Sequence, residues 1–221
     1  ACIDGHPGER MRCIGAAHSW SEIVATDGVL LDLRCLRGVQ IEAGQRVRVG
    51  AGWTLRRLLR HLRRAGLTLP TLGAIQKQTV AGAIATGTHG SGKESLSHFV
   101  EEVRVVCFNP ATGKAEFKTF VRKLELQAAR CSLGALGVVV EVVLRTVDAY
   151  WIEERVDKVD SIEDVLSGLE GQQPWDLQQF ALLPWSWKYV VYRRRTTTTQ
   201  PGLWLRERIL RCANFWLNDV G

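Results

Sequence analysis

Residues 69–92 read LPTLGAIQKQTVAGAIATGTHGSG, a stretch holding five glycines and four threonines among apolar residues, more than an ordinary core segment needs. Gly73, Gly82, Gly87, Gly90 and Gly92 interrupt any long helix and let the backbone approach something flat or anionic. Thr79, Thr86, Thr88 and Ser91 add hydroxyls that can donate to phosphate or ring heteroatoms, while Val80, Ala81, Ala83, Ile84 and Ala85 keep the surroundings dry. The stretch reads as a ligand cradle, with a glycine-rich turn between two buried strands as the alternative.

Outward from it, the charge is uneven. The net charge is +6, yet no acid occurs between Glu42 and Glu94, where Arg46, Arg48, Arg56, Arg57, Arg60, Arg63, Arg64, Lys77 and Lys93 all fall. The helix predicted after Gly52 has Leu55, Leu58, Leu59 and Leu62 as its apolar face, so its arginines form a solvated opposite face. No aromatic residues are interleaved with them, which disfavours a nucleic-acid groove. Gly50-Ala51-Gly52 after a strand imitates a dinucleotide fingerprint. It fails, because Leu55 occupies the third glycine position and no acid stands about twenty residues on. There is no Walker lysine motif and no Gly-x-Ser-x-Gly elbow.

Six cysteines, Cys2, Cys13, Cys35, Cys107, Cys131 and Cys212, show neither CxxC nor zinc spacing and read as buried free thiols, with no metal expected. No signal-peptide pattern opens the chain, which suits a cytoplasmic or membrane-associated protein. The sequence begins without Met and stops at Asn218-Asp219-Val220-Gly221, as a fragment of a longer protein does.

Upstream of the cradle, residues 11–21, MRCIGAAHSWS, place small residues before His18, the pattern of an anion-binding nest; alone, His18 reads first as a hydrogen-bonded turn residue. Strands are predicted over 29–33, 45–49, 100–108, 138–144, 151–156 and 188–195. Helices are predicted over 124–130 and 161–169, the latter capped by Ser161. Residues 109–114 read as a turn and 196–201 as a loop. Tryptophans crowd the chain beyond Tyr150, marking a second domain. Leu203 to Leu217 reads as a core helix, or as an interfacial helix giving peripheral membrane contact.

Three spaced pieces, GAAHSWSEIVATDG, LPTLGAIQKQTVAGAIATGTHGSG and SLGALGVVVEVVLR, together resemble the flavin-binding domain of the vanillyl-alcohol-oxidase type. Within it they are most similar to the sugar-1,4-lactone oxidases, such as L-gulonolactone and D-arabinono-1,4-lactone oxidases. The resemblance covers roughly residues 10–148. It implies an α+β fold: a PCMH-type FAD-binding domain over 1–148, N-terminally truncated, with two α+β subdomains of about 1–72 and 73–148. The start of an α+β substrate-capping domain would follow over 149–221.

Carried over by position, the resemblance assigns Ile14, Gly15, Ala16, Ala17, His18 and Ser19 to the pyrophosphate nest, with His18 bonded covalently to the flavin as an 8α-histidyl link. Gly73 and Ala74 would approach the isoalloxazine. Thr79, the backbone of Gly82, Ala83, Ile84, Ala85 and Thr86, and His89 would complete the cradle, with Val138 meeting the adenine or ribose end. The implied chemistry is hydride removal from a secondary alcohol of a sugar lactone, with O2 as acceptor and hydrogen peroxide as product. Glycine at position 73 is the residue associated with oxygen access. Ala74 stands where related polyol oxidases carry serine, which disfavours an alditol oxidase; a flavin-holding module without turnover is the remaining alternative. Ala17 replaces a usual glycine. The substrate-activating residues and the His-Trp-Gly-Lys motif belong to a part of the capping domain beyond this sequence, so no catalytic residue is assigned.

Overall fold

The computed structural model describes residues 5, 6, 8–90, 94–170 and 175–199. Ser91, Gly92, Cys2, Cys212 and the predicted helix over 203–217 lie outside the described residues. The chain separates into two compact units, one built on residues up to His89 and Glu94–Asp148, the other on residues from Ala149 together with Gly90.

In the first unit a parallel pair opens the chain, β1 (Met11–Ile14) against β2 (Val29–Asp32), with Cys13 opposite Leu31. A short 3-10 turn, Leu33–Cys35, follows. Next come β3 (Val39–Glu42) and β4 (Arg46–Gly50), then α1 (Leu55–Arg64) and a two-residue strand, β5 (Leu67–Thr68). Alternation in β4 does what its sequence predicts: Val47 and Val49 are fully buried. Thr54 caps α1, its Oγ1 accepting from the Arg57 N–H at 3.4 Å, and Leu55, Leu58 and Leu62 bury one face. Each of those three leucines contributes about 1.5–3 kcal/mol of burial.

Val80–Ala85 forms a short helix, α2, inside the glycine-rich stretch. This overturns the reading of that stretch as a turn between two strands. Thr79 supplies the cap that starts the helix despite Gly82, its Oγ1 accepting from the Gly82 N–H at 3.3 Å. Then follow β6 (Val100–Asn109), β7 (Lys114–Phe120), α3 (Lys123–Arg130), β8 (Val138–Arg145) and β9 (Val147–Asp148).

A five-stranded antiparallel sheet runs in the order β3-β4-β8-β6-β7, while β5 pairs with β9. The large sheet draws β3 and β4 from before residue 72 and its other strands from after it. Val47, Val49, Val103, Val105, Val142 and Leu144 join the leucines of α1, Val80 and Ile84 of α2, and Leu126 of α3 in one core. Arg48 on β4 gathers carboxylates from three strands. Its Nη1 donates to Glu102 at 2.6 Å and to Glu141 at 3.1 Å, and its Nε donates to Glu42 at 2.7 Å. These bonds, the one to Glu102 foremost, raise the guanidinium's pKa further above its ordinary value.

The second unit has β10 (Trp151–Val159), α4 (Ile162–Glu170), β11 (Leu177–Leu183) and β12 (Lys188–Thr197), with sheet order β10-β12-β11, all antiparallel. Ser161 Oγ accepts from the Asp164 N–H at 3.0 Å, the cap its sequence predicts. Val165 and Val191 are fully buried where α4 meets the sheet. The loop expected from Thr196 begins later. Thr196 pairs with Ile152, and its N–H and hydroxyl both donate to Asp176 Oδ2, so the strand continues to Thr197.

Candidate functional site

The first unit holds a cavity of about 690 Å³, within the range of small-molecule sites. Its walls come from β1 and the loop after it, the Leu33 turn, the start of α2, the end of β6, and residues 133–139. Gly15, Ala16, Ala17, His18, Ser19, Thr79, Gly82, Ala85, Thr86 and Val138 of the predicted set line it together. Ile14 stands in β1 just before the loop and does not line it. Neither do Ala83 and Ile84, which are buried in the core.

Gly73, Ala74 and His89 also lie outside the lining. A methyl at Gly73 would stand 2.8 Å from Thr88 Cγ2, and Gln78 Nε2 donates to Thr88 Oγ1 at 3.1 Å. Gln78 does line the cavity, so this small cluster reaches it through one side chain. Glycine at position 73 therefore has a packing reason of its own.

The loop after β1 is built to present donors. Ala17 has φ +53°, the left-handed conformation that alternates N–H directions into an anion-binding nest. Among the described residues, the N–H groups of Ala17, His18 and Ser19 have no backbone acceptor. Gly15 is fixed by contact, since a Cβ there would lie 2.2 Å from Thr79 Oγ1.

The start of α2 contrasts with that loop. The Val80 N–H donates to Trp53 O at 2.7 Å, the Ala81 N–H to Ala51 O at 3.3 Å, and the Ala83 N–H to Thr79 O at 2.9 Å. With Gly82 bonded to the Thr79 hydroxyl, the helix keeps its first donors for the protein and offers a ligand small side chains instead.

Opposite, Leu133 and Gly134 turn with φ +51° and +81°, and Gly137 has φ +123°. A Cβ at Gly137 would meet Val106 O at 2.5 Å, which holds the turn tight against β6. A bulge follows: Arg104 pairs with Glu141 but Val105 with Val139, and the skipped Val140 accepts from the Ala51 N–H at 2.9 Å. Gly50 and Gly52 do not line the cavity. Cβ atoms there would stand 2.4 Å from Leu36 O and 1.9 Å from Leu33 O, so the fingerprint look-alike marks two crossing chain segments.

The cysteines correct their prediction. Cys35 and Cys131 are exposed, at a surface turn and at the end of α3, and Cys13 and Cys107 are half-buried cavity residues. Burial pushes the Cys13 thiol above its ordinary pKa. Residues 106–108, Arg12, Cys13 and Gln78 were missed by motif reading. Residues 106–108 fall inside a predicted strand and Gln78 inside the glycine-rich stretch, with no local pattern that marks them as cavity walls.

Residues 6–114 match the family model described as FAD binding domain. Residues 6–114 are an FAD-binding domain of that family. It is 46% identical to a long-chain alcohol oxidase from an uncultured marine euryarchaeote, over 99% of this chain and 45% of that one. It is 32% identical to an L-gulono-1,4-lactone dehydrogenase of Mycobacterium tuberculosis, over 88% of this chain and 45% of the relative. To a D-arabinono-1,4-lactone oxidase of Eremothecium gossypii it is also 32% identical, over 88% of this chain and 38% of that one. The chain thus spans less than half the length of these relatives.

Among solved structures, a cholesterol oxidase from Brevibacterium sterolicum superposes with a TM-score of 0.75 at 18% identity, covering 90% of this chain and 42% of that chain. This shares the fold and supports nothing finer. No helix among the described residues is long and apolar enough to cross a membrane.

Proposed function

We propose that this chain is the cofactor-holding part of an FAD-dependent oxidase that takes hydride from an alcohol carbon. Residues 1–148 form its FAD-binding domain and 149–221 begin its substrate cap. The observation that carries this reading is the cavity joining the donor loop at Ala17–Ser19 to the Leu133–Gly137 turn, in a chain of FAD-binding type.

Bound there, FAD supplies a hydride acceptor. The loop N–H groups hold the diphosphate, and the Thr79 hydroxyl, whose oxygen already accepts from Gly82, keeps its proton to donate. Leu33, Ala81 and Val139 keep the wall dry. His18 lines the cavity at the loop's end, which is compatible with an 8α-histidyl bond.

For the substrate we favour a sugar-1,4-lactone, with O2 as acceptor and hydrogen peroxide as product, supported by lactone-oxidising relatives at about a third identity. The long-chain alcohol oxidase at 46% identity carries a second reading, a long-chain alcohol. The test has two steps. Acid-denatured protein retains flavin fluorescence on the polypeptide, and His18→Ala releases it; flavin that washes off the wild type refutes the covalent link. Peroxide formed by the full-length protein is then measured with D-arabinono-1,4-lactone, L-gulono-1,4-lactone and a long-chain primary alcohol. Turnover of the alcohol alone replaces the lactone reading.

A further inference from the structure

Arg12 is the one Lys or Arg among the described residues lining the cavity. It sits on β1, in the strand that runs directly into the donor loop. Its Nε is buried with no hydrogen-bond partner, and no carboxylate pairs with its guanidinium among the described residues. Glu9, the acid nearest in sequence that lines the same cavity, is engaged with His6 at 2.9 Å. Arg12 is half-buried, and a buried N–H donor such as its Nε is costly to leave unpaired unless an acceptor completes it.

The rest of the cavity lining holds no other lysine or arginine among the described residues. The loop at Ala17–Ser19 offers only N–H dipoles, and α2 has spent its first donors on Trp53 O, Ala51 O and the Thr79 cap. FAD brings a diphosphate with two negative charges.

We infer that Arg12 is the charge partner of the cofactor's diphosphate, a binding residue that makes this cavity select a phosphate-bearing flavin nucleotide. The inference rests on the FAD reading above and adds which side chain neutralises the ligand. A guanidinium suits the task because it stays charged at any working pH and donates in a planar fork matched to phosphate oxygens. Arg10, two residues earlier on the same segment, does not line the cavity and serves as an equal-charge control.

The experiment is FAD titration of the chain in a His18→Ala background, where binding is reversible, followed by flavin fluorescence quenching and by ADP competition. Arg12→Met weakens FAD and ADP by about tenfold to a hundredfold, the range for a hydrogen bond to a charged group. Arg12→Lys, which keeps the charge but not the fork, falls between, and Arg10→Met stays within about twofold of its parent. The ligand-free melting temperature of each variant reports folding separately. Equal FAD affinity in Arg12→Met and Arg10→Met overturns the assignment of Arg12 while leaving the FAD reading intact. So does an Arg12→Lys variant that folds like its parent yet binds no better than Arg12→Met. A parent chain that binds neither FAD nor ADP refutes the cofactor reading itself, and the Arg12 assignment falls with it.

Discussion

Gly15→Ala tests whether the contact between the donor loop and α2 is as close as the structure places it. The backbone at Gly15 is outside the left-handed region, so an alanine is tolerated there on conformational grounds and the penalty comes from contact alone. The new methyl would lie 2.2 Å from Thr79 Oγ1 and 3.2 Å from its Cβ and Cγ2. Thr79 is buried and cannot swing to solvent. Rotating it surrenders the α2 cap, worth about 1 kcal/mol, and adds overpacking strain of about 1–3 kcal/mol. The sum is a loss of about 2–4 kcal/mol, or a fall in Tm of roughly 5–15 °C for a chain of this size.

Thr79→Ala alone costs about 1–2 kcal/mol as a lost cap. In the double variant the 2.2 Å contact no longer exists, and the remaining 3.2 Å contact to Cβ is relieved by a small shift. Its cost therefore falls short of the sum of the two single costs by about 2 kcal/mol. Urea denaturation of the four proteins, read by tryptophan fluorescence and far-UV dichroism, measures the cycle. Additivity within about 0.5 kcal/mol refutes the reasoning.

Gly137→Ala combines a methyl 2.5 Å from Val106 O with φ +123°, so it costs at least about 3 kcal/mol and lowers the urea midpoint more than Gly15→Ala does. Ala17→Gly removes the left-handed penalty of about 1–2 kcal/mol, partly offset by a freer unfolded chain, so stability rises by roughly 0.5–1 kcal/mol; a lower Tm contradicts the +53° conformation. Iodoacetamide at pH 8 labels exposed Cys35 before Cys13, whose raised pKa leaves less thiolate, and mass spectrometry after FAD addition finds Cys13 and Cys107 protected. The same shift favours the neutral thiol in the fold. Its stabilising effect is therefore whole below the unfolded thiol pKa and disappears as pH rises through the higher folded value, a decline that Cys13→Ala removes.

Much of the fold is legible because its strands carry their own signals. Val100–Asn109 and Val138–Arg145 are β-branched runs, and Arg46–Gly50 alternates. Leu177–Leu183 escaped because LQQFALL has no β-branched residue and becomes a strand through pairing with Lys188–Thr197. Val80–Ala85 escaped for the opposite reason: Gly82 argues against a helix, and the Thr79 cap with the Trp53 and Ala51 carbonyls overrules it.

At the site, the spacing of Gly15 to Ser19, Thr79 and Gly82 was readable because small residues and hydroxyls are chosen for backbone approach. Arg12 was not. A single charged residue in a strand has no local pattern, and what distinguishes it is a cavity assembled from distant parts of the chain.

That assembly has a consequence for how the protein is made. The donor loop leaves the ribosome well ahead of the facing wall at residues 133–139 and of the strand that fixes it, Val138–Arg145 between Arg46–Gly50 and Val100–Asn109. A nascent chain stopped before Leu133 holds one half of the cavity and no opposing surface. On the FAD reading proposed above, ribosome-bound chains are expected to take up flavin only after the five-stranded sheet is complete, which flavin fluorescence of chains stalled before and after Val138–Arg145 checks.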